Sequence, residues 1–231
     1  MEYKGIRLAI DNDGLAIVTM CNRDNKFTMD YVKTWNKVLD DIEKNENITG
    51  MITVGEGRAF STGLDINWLK SQSPTTLDVY HDELHKLYKR IISLGMTTVA
   101  VINGHAIAEG AFMALMHDYR IMRKDRGWIN WPEVHLKLPF TKTMLDLFRV
   151  KVQNGAAVRE ALVFGKRLDA ETAKSLGIVD VTATEENMMS KAKETIKYAL
   201  GKVSVTRGFF NDMKSDMYNS FVVQEKLAGK L

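Results

Sequence analysis

Short apolar segments alternate with amphipathic segments over the first 130 residues of the chain. Five mostly apolar runs have the length and composition of strands: Ile6–Ile10, Leu15–Met20, Ile48–Val54, Thr98–Ile102 and Tyr119–Arg123. Between the first two, the sequence Asp-Asn-Asp-Gly at Asp11–Gly14 predicts a hairpin turn. The runs at Ile48–Val54 and Thr98–Ile102 carry no charge, so we expect them to be buried on both faces of a parallel sheet.

Apolar residues at helical spacing fill the intervals between these strands and dominate the last third of the chain. The pattern predicts helices at Asp30–Asn45, Asp65–Gln72, Thr76–Leu94, Glu109–Met116, Ala156–Val163, Asp169–Leu176, Glu185–Leu200 and Val205–Gly229. The alternation of strand and helix, without Pro- or Gly-rich linkers, predicts an α/β domain with parallel strands. In the last helix an apolar stripe recurs every four residues, and we expect it in the core or in a subunit interface: Phe209, Met213, Met217 and Phe221.

The composition is that of a globular protein and excludes several other classes. The 231 residues are 45% hydrophobic and 26% charged, which is enough for one sizeable core. The net charge of +3 is too balanced to indicate a nucleic-acid partner. The single cysteine, Cys21, excludes an intramolecular disulfide and a multi-cysteine metal site. The charged N-terminus does not resemble a secretion signal, and no apolar run reaches the roughly 20 residues of a membrane span.

Two glycine-containing turns each lead from a predicted buried strand into a predicted helix. The first runs from Gly55 to Asp65, and the second from Asn103 to Glu109. Because the first N–H groups of a helix have no partner within the helix, two such turns could direct two main-chain N–H groups at one point, as in an oxyanion hole. The alternative is an ordinary strand-to-helix loop in which Asp65 caps the helix. His105, inside the second turn, is interpreted as structural.

Glu133 is the strongest candidate for acid–base chemistry. It lies in the segment Trp131-Pro-Glu-Val, with further apolar residues on either side. Apolar surroundings raise the pKa of a carboxyl group toward the range that suits a general acid or base. A surface salt bridge to Arg or Lys is the alternative. His81 and His85, four residues apart on a predicted helix, are interpreted as a solvated face, and we expect no metal site.

Three segments, in this order and spacing, resemble the enoyl-CoA hydratase/isomerase (crotonase) superfamily. They are Arg58-Ala-Phe-Ser-Thr-Gly-Leu-Asp65, Val101-Ile-Asn-Gly-His-Ala106 and the stretch from Gly165 to Asp180. The resemblance covers roughly residues 5–200. The stretch from His117 to Gly127 is most similar to the peroxisomal Δ3,Δ2-enoyl-CoA isomerases of plants.

The resemblance implies an α/β fold of the crotonase type. Residues 1–180 are expected to form a spiral of ββα turns, and residues 181–231 a helical C-terminal region that mediates trimerisation. The expected assembly is a homotrimer or a hexamer. The expected ligand is an acyl-CoA thioester, with no cofactor other than the coenzyme A that belongs to the substrate.

The resemblance also implies roles for particular residues. The two oxyanion N–H groups would be those of Leu64 and Glu109, and Glu133 would be the catalytic acid–base. Residues expected to bind the CoA part of the substrate are Lys26, near the phosphates, with Thr62, Gly63, Asp65 and Ile66. Chain-length preference would depend on aromatic residues around the acyl tunnel: Trp68, Trp128, Trp131 and Phe140.

Two departures from the family pattern bear on the reaction. Hydratases of this family use two glutamates to activate water, and the position of the first is occupied here by Phe112. One carboxyl group can still carry a proton from C2 to C4 of a 3-enoyl thioester, so we expect an isomerase of fatty acid β-oxidation. Glu109 stands where small residues are usual; its side chain could face solvent, or face the cavity as a second acid–base. A hydratase, another acyl-CoA enzyme and an inactive acyl-CoA-binding subunit remain alternatives.

The expected location is the peroxisome. The final residues, Gly229-Lys-Leu231, approximate the Ser-Lys-Leu peroxisomal address, with glycine at an unusual first position. The cytoplasm is the alternative.

Overall fold

The computed structural model describes residues 1–201 and 203–218 as a seven-stranded sheet, a three-stranded sheet and the helices that cover them. The strands are β1 (Glu2–Tyr3), β2 (Ile6–Ile10), β3 (Leu15–Met20), β4 (Gly50–Gly55), β5 (Ala59–Ser61), β6 (Thr97–Ile102), β7 (His105–Ile107), β8 (Tyr119–Arg123), β9 (Ile129–Asn130) and β10 (Val181–Ala183). The α-helices are α1 (Met29–Lys44), α2 (Ile66–Lys70), α3 (Pro74–Ile92), α4 (Glu109–Met116), α5 (Glu133–Leu136), α6 (Lys142–Lys151), α7 (Gly155–Ala157), α8 (Ala170–Ser175), α9 (Met188–Ala199) and α10 (Arg207–Met217). A π-helical segment, Val158–Val163, continues α7, and a 3₁₀ turn, Glu185–Asn187, precedes α9.

The large sheet has the predicted parallel core. Its order is β1-β2-β3-β4-β6-β8-β10, with the antiparallel hairpin β2–β3 at one side and parallel pairing from β3 onward. Strand β4 begins at Gly50 rather than at the predicted Ile48, because the Ile48 N–H bonds to the Asn45 carbonyl in a turn. Ile48 is nevertheless buried, so its apolar character reflects core packing and not membership of the strand.

Alternating side chains of the large sheet face two separate cores. One face, with residues such as Val18, Met51 and Ala100, packs against α1, α3 and α4. The other face, with Ile52 and Val99 among its residues, is covered by α9. This two-sided burial explains why β4 and β6 are almost continuously apolar.

The strands of the three-stranded sheet β5-β7-β9 were not predicted from the apolar pattern, although the expected ββα turns imply a second strand in each turn. Each of its strands follows a long strand after a tight turn and leads into a helix, so β4–β5, β6–β7 and β8–β9 are successive turns of one spiral. The turns stack with their backbones in contact. A Cβ atom on Gly104 would lie 2.1 Å from the Arg58 carbonyl oxygen, and one on Gly127 would lie 2.4 Å from the carbonyl carbon of Gly104. Only glycine fits this stacking, and the predicted spiral of ββα turns is confirmed.

The C-terminal segment contributes both a strand and helices. β10 extends the large sheet beside β8, and α9 packs on β6 and β8. On α10, Phe209, Met213 and Met217 are exposed, so the interpretation of this stripe as monomer core is wrong for these three residues. Phe221 and the end of the predicted helix lie outside the described residues, as does the Gly-Lys-Leu terminus. A subunit interface, and a division of the chain at residue 180, stay predictions.

Within the described ranges, the helices are too short or too polar to cross a membrane.

Candidate active site

The first glycine turn follows β5 and is bonded to the loop that precedes α1. The Gly63 N–H donates to the Oγ of Ser61 (3.1 Å), and the Gly63 carbonyl accepts from the Phe27 N–H (2.9 Å). The Asp65 N–H donates to the Phe27 carbonyl (3.1 Å). The intervening N–H of Leu64 has no acceptor in the part of the chain that the structure describes. It can therefore donate to an incoming oxygen.

The second glycine-containing turn follows β7 and opens α4. Ala108 has φ 52° and ψ −119°, an unusual conformation for a residue with a side chain, and its N–H donates to the Asn130 carbonyl (2.9 Å). Such strained residues cluster at functional sites. Glu109 is the first residue of α4, so its N–H is one of the helix donors that have no partner within the helix.

The two turns touch each other. A Cβ atom on Gly63, which has φ +85°, would lie 2.7 Å from the Ile107 carbonyl oxygen and 3.1 Å from the Glu109 nitrogen. The N–H of Leu64, the next residue, is therefore close to the N–H of Glu109. Two adjacent main-chain donors without internal acceptors are what an oxyanion requires.

The loop from Thr62 to Ile66 lies beside these donors. Asp65 caps α2 by accepting from the N–H groups of Asn67 and Trp68, each at 3.2 Å, so the capping alternative for its side chain is confirmed. The Thr62 hydroxyl donates to a carbonyl of the preceding loop (3.2 Å), and Ile66 is exposed. Nothing in these contacts prevents the loop from also meeting a ligand.

Lys26 lies next to this loop. It directly precedes Phe27, whose bridge to Leu64 joins the two chain segments, and its side chain is half-buried. The structure thus brings together the six residues expected around the CoA thioester and the first donor: Lys26, Thr62, Gly63, Leu64, Asp65 and Ile66.

Glu133 begins α5, three residues after β9. Its Oε2 is buried and has no hydrogen-bond partner among the described residues, and burial raises the pKa of its carboxyl group to about 7. No described Arg or Lys forms an ion pair with it, so the salt-bridge alternative is wrong. A half-buried carboxyl group that titrates near neutral pH suits proton transfer.

The side chain of Glu109 lies in the protein interior and is bonded to α3. It is 3% exposed, which excludes the solvent alternative, and its Oε1 accepts a hydrogen bond of 2.5 Å from the hydroxyl of Tyr88 on α3. The pKa of Glu109 is raised to about 7, chiefly by burial; the Tyr88 hydrogen bond opposes the rise, and the charge of Glu133 adds to it. The Glu109 carboxyl group therefore senses the charge of Glu133. Tyr88 is the residue of this site that the sequence did not reveal, because it lies in an ordinary apolar position of a long helix.

Phe112 lies one helical turn after Glu109 and is fully buried. Its ring packs against those of Trp131 (5.8 Å between centroids) and Phe140 (6.2 Å). The position that carries a glutamate in hydratases is therefore part of an apolar wall. Trp128, expected near the acyl tunnel, packs on His105 (3.9 Å between ring centroids) at the start of β7, and its place in a tunnel stays a prediction.

Across the described residues, no group of three His, Cys, Asp or Glu side chains could hold a metal ion.

Two main-chain donors and a carboxyl group with a raised pKa, carried on a stacked ββα spiral, are groups that acid–base chemistry on a carbonyl compound requires. The sequence profile described as enoyl-CoA hydratase/isomerase matches residues 11–223. The chain therefore belongs to the enoyl-CoA hydratase/isomerase family, and the predicted enzyme class is confirmed.

Two curated relatives support this assignment to the family. The chain is 37% identical over 176 residues to enoyl-CoA delta isomerase 3 of Arabidopsis thaliana, which is 73% of each chain. It is 35% identical to the peroxisomal enoyl-CoA delta isomerase 2 of the same plant, over 69% of each chain.

Solved structures support the fold. Human mitochondrial delta3-delta2-enoyl-CoA isomerase superposes with a TM-score of 0.86 at 23% identity, covering 95% of this chain and 85% of that chain. A probable enoyl-CoA hydratase of Mycobacterium tuberculosis superposes with a TM-score of 0.83 at 21% identity, covering 95% and 90%.

Proposed function

We propose that this protein is a Δ3,Δ2-enoyl-CoA isomerase, which moves the C3=C4 double bond of a fatty acyl-CoA to C2=C3 in β-oxidation. The observation that carries the proposal is Glu133, a half-buried carboxyl group whose Oε2 is fully buried, with a raised pKa and no ion pair among the described residues. The apolar Phe112 leaves no second glutamate at the hydratase position. Relatives at 35–37% identity are named delta isomerases.

The proposed mechanism uses two main-chain donors and one base. The thioester oxygen accepts hydrogen bonds from the N–H groups of Leu64 and Glu109. Glu133 removes a proton from C2, and the electron pair of that C–H bond forms a dienolate whose negative charge lies on the thioester oxygen. Glu133 then returns the proton at C4, the C2=C3 bond forms and the carbonyl is restored. No atom is gained or lost.

The CoA part of the substrate is proposed to bind along the loop beside the donors. The Lys26 ammonium would face the phosphates, and the chain from Thr62 to Ile66 would line the nucleotide and pantetheine portion. No further cofactor is needed for a proton shuttle, since the base and the donors come from the chain itself. We propose a homotrimer or hexamer in the peroxisome; the names of two Arabidopsis relatives specify that organelle.

The decisive assay compares two substrates. The purified protein should convert 3-hexenoyl-CoA to 2-hexenoyl-CoA and add no water to 2-hexenoyl-CoA. Glu133→Gln should lower kcat by about 10³-fold or more, because the amide cannot accept the proton, while CoA binding persists. Full activity of that variant would refute Glu133 as the base.

Hydration of 2-enoyl-CoA is the second candidate, because Glu109 supplies a second buried carboxyl group that senses Glu133. Formation of 3-hydroxyhexanoyl-CoA in the same assay would favour it. A protein that binds acyl-CoA yet converts neither substrate would be an inactive binding subunit.

A further inference from the structure

Two carboxyl groups share the buried candidate site. Glu109 is almost inaccessible to solvent, and Glu133 has a buried oxygen without a hydrogen-bond partner within the described residues. Neither forms an ion pair in the described part of the chain, and the charge of Glu133 acts on Glu109. Because burial without a counter-ion disfavours the charged form of a carboxyl group, and the charge of Glu133 adds to the cost of ionising Glu109, one of the two groups is expected to retain a proton near neutral pH.

Packing indicates which residue retains that proton. The titratable groups that face Glu109 are Tyr88 and Tyr80 on α3 and Glu133 on α5. Among the described residues no Lys, Arg or His acts on it. In the described part of the chain, the contact that favours the anion is the Tyr88 hydrogen bond, and burial outweighs this bond. Glu109 is also the more deeply buried of the two carboxyl groups, so the proton belongs on Glu109.

The proposed reaction requires Glu109 to keep this proton. The main-chain N–H of Glu109 is a proposed donor to the thioester oxygen, on which negative charge develops. An ionised side chain on the same residue would repel that charge, whereas a neutral carboxylic acid would not. The glutamate is thus compatible with an oxyanion site only in its protonated form.

We propose that Glu109 works as a neutral carboxylic acid, which keeps its proton near neutral pH, so that Glu133 is the anionic base and the second oxyanion donor carries no opposing charge. This inference rests on the proposed isomerisation. Glu109 acts through its effect on charge and transfers no proton to the substrate.

A bell-shaped pH profile follows. On the acid side, kcat/KM rises as Glu133 loses its proton. On the alkaline side it falls by about tenfold per pH unit as Glu109 ionises. The two limbs report macroscopic pKa values of the pair.

Three variants test the alkaline limb with 3-hexenoyl-CoA as the substrate. Glu109→Gln mimics the neutral acid and cannot ionise, so the ratio of kcat/KM at pH 9 to that at pH 7 should be at least tenfold higher than in the unmodified protein. Tyr88→Phe removes the bond that favours the anion, so the limb should move to higher pH. Tyr80→Phe is the matched control: Tyr80 also lies on α3 and faces Glu109, but its hydroxyl bonds to the Phe27 carbonyl, so the limb should not move.

The inference is overturned if the Glu109→Gln protein keeps the alkaline limb, or if it is folded but inactive at every pH, since the proton of Glu109 would then be transferred. Carbon-13 NMR of side-chain-labelled glutamate gives a measurement independent of turnover. The resonance lost in Glu109→Gln should be that of a protonated carboxyl group at pH 6, and an ionised one there would refute the inference. If 3-hexenoyl-CoA is not converted at any pH, the isomerase proposal fails while the NMR result still decides the state of Glu109.

Discussion

Gly63 lies where the two turns of the candidate site touch, and its φ of +85° is a conformation that residues with a Cβ atom rarely adopt. In Gly63→Ala, the methyl group would meet the Ile107 carbonyl oxygen at 2.7 Å and the Glu109 nitrogen at 3.1 Å. Because the turns must separate to admit it, we expect the isomerisation rate to fall about 10²-fold or more through misplaced donors.

A substitution at a second glycine separates the loss of activity caused by the contact between the turns from the cost of backbone strain. Gly57 has φ +84° but nothing within 4 Å of an added Cβ atom. Gly57→Ala should therefore lose about 1 kcal/mol of unfolding free energy from the unfavourable φ, with the isomerisation rate nearly unchanged. Urea titration and steady-state kinetics of both variants provide the comparison. Equal losses of activity would show that strain alone, and not the contact between the turns, controls the reaction.

Individual residues of the site differ in how visible they are in the sequence. Glu133 could be found because an acid among tryptophans is unusual, and the two turns because each joins an apolar run to a helix. Tyr88 could not, since its bond to Glu109 spans 21 residues and depends on how α3 packs against α4. The same packing decides that the Glu109 carboxyl group is buried.

At the scale of elements, a buried cation helps to attach α10 to the segments that lead into β6 and β8. The ammonium of Lys214 donates to the carbonyls of Leu94 (3.1 Å) and Met96 (2.8 Å) and to Asp118 (2.6 Å). Lys214→Met would remove the cation that these two carbonyls and Asp118 bind, and we expect a loss of about 3 kcal/mol of unfolding free energy. Lys191→Met removes an exposed ion pair with Glu194 on α9 and should cost no more than about 0.5 kcal/mol. Urea unfolding of the two proteins measures both; similar costs would mean that Lys214 does not anchor α10.

The elements also show what a pattern of apolar residues can establish. β3, β4 and β6 were predictable because each is six residues long, mostly apolar and without a charge, which exceeds what a turn requires. β5, β7 and β9 are two or three residues long, below the length at which alternation is visible, and they exist because the spiral stacks one turn on the next. The exposed face of α10 has the same helical spacing as a buried face, so the sequence could not assign its environment.

At the scale of the whole molecule, one sheet separates two cores. The candidate site belongs to the side of α1, α3 and α4, whereas α9 covers the other face through residues that include Met188 and Ala192. Since the same strands supply side chains to both cores, neither core can form without the other. Unfolding is therefore expected to be a single cooperative transition.

A substitution at Ala192 tests this dependence, because Ala192 lies on the face of the sheet opposite the candidate active site. It is fully buried against the sheet, so Ala192→Asp would place an unpaired charge in an apolar core, at a cost of about 4 kcal/mol or more. Because the strands of the sheet also position both glycine turns, we expect isomerase activity, near-UV and far-UV circular dichroism to be lost together at one reduced temperature. Ser190→Asp places the same charge on the exposed side of α9 and should shift that temperature by only a degree or two. If Ala192→Asp melts part of the helical signal while activity survives to the original temperature, α9 is an independent layer, and the two cores are not coupled through the sheet.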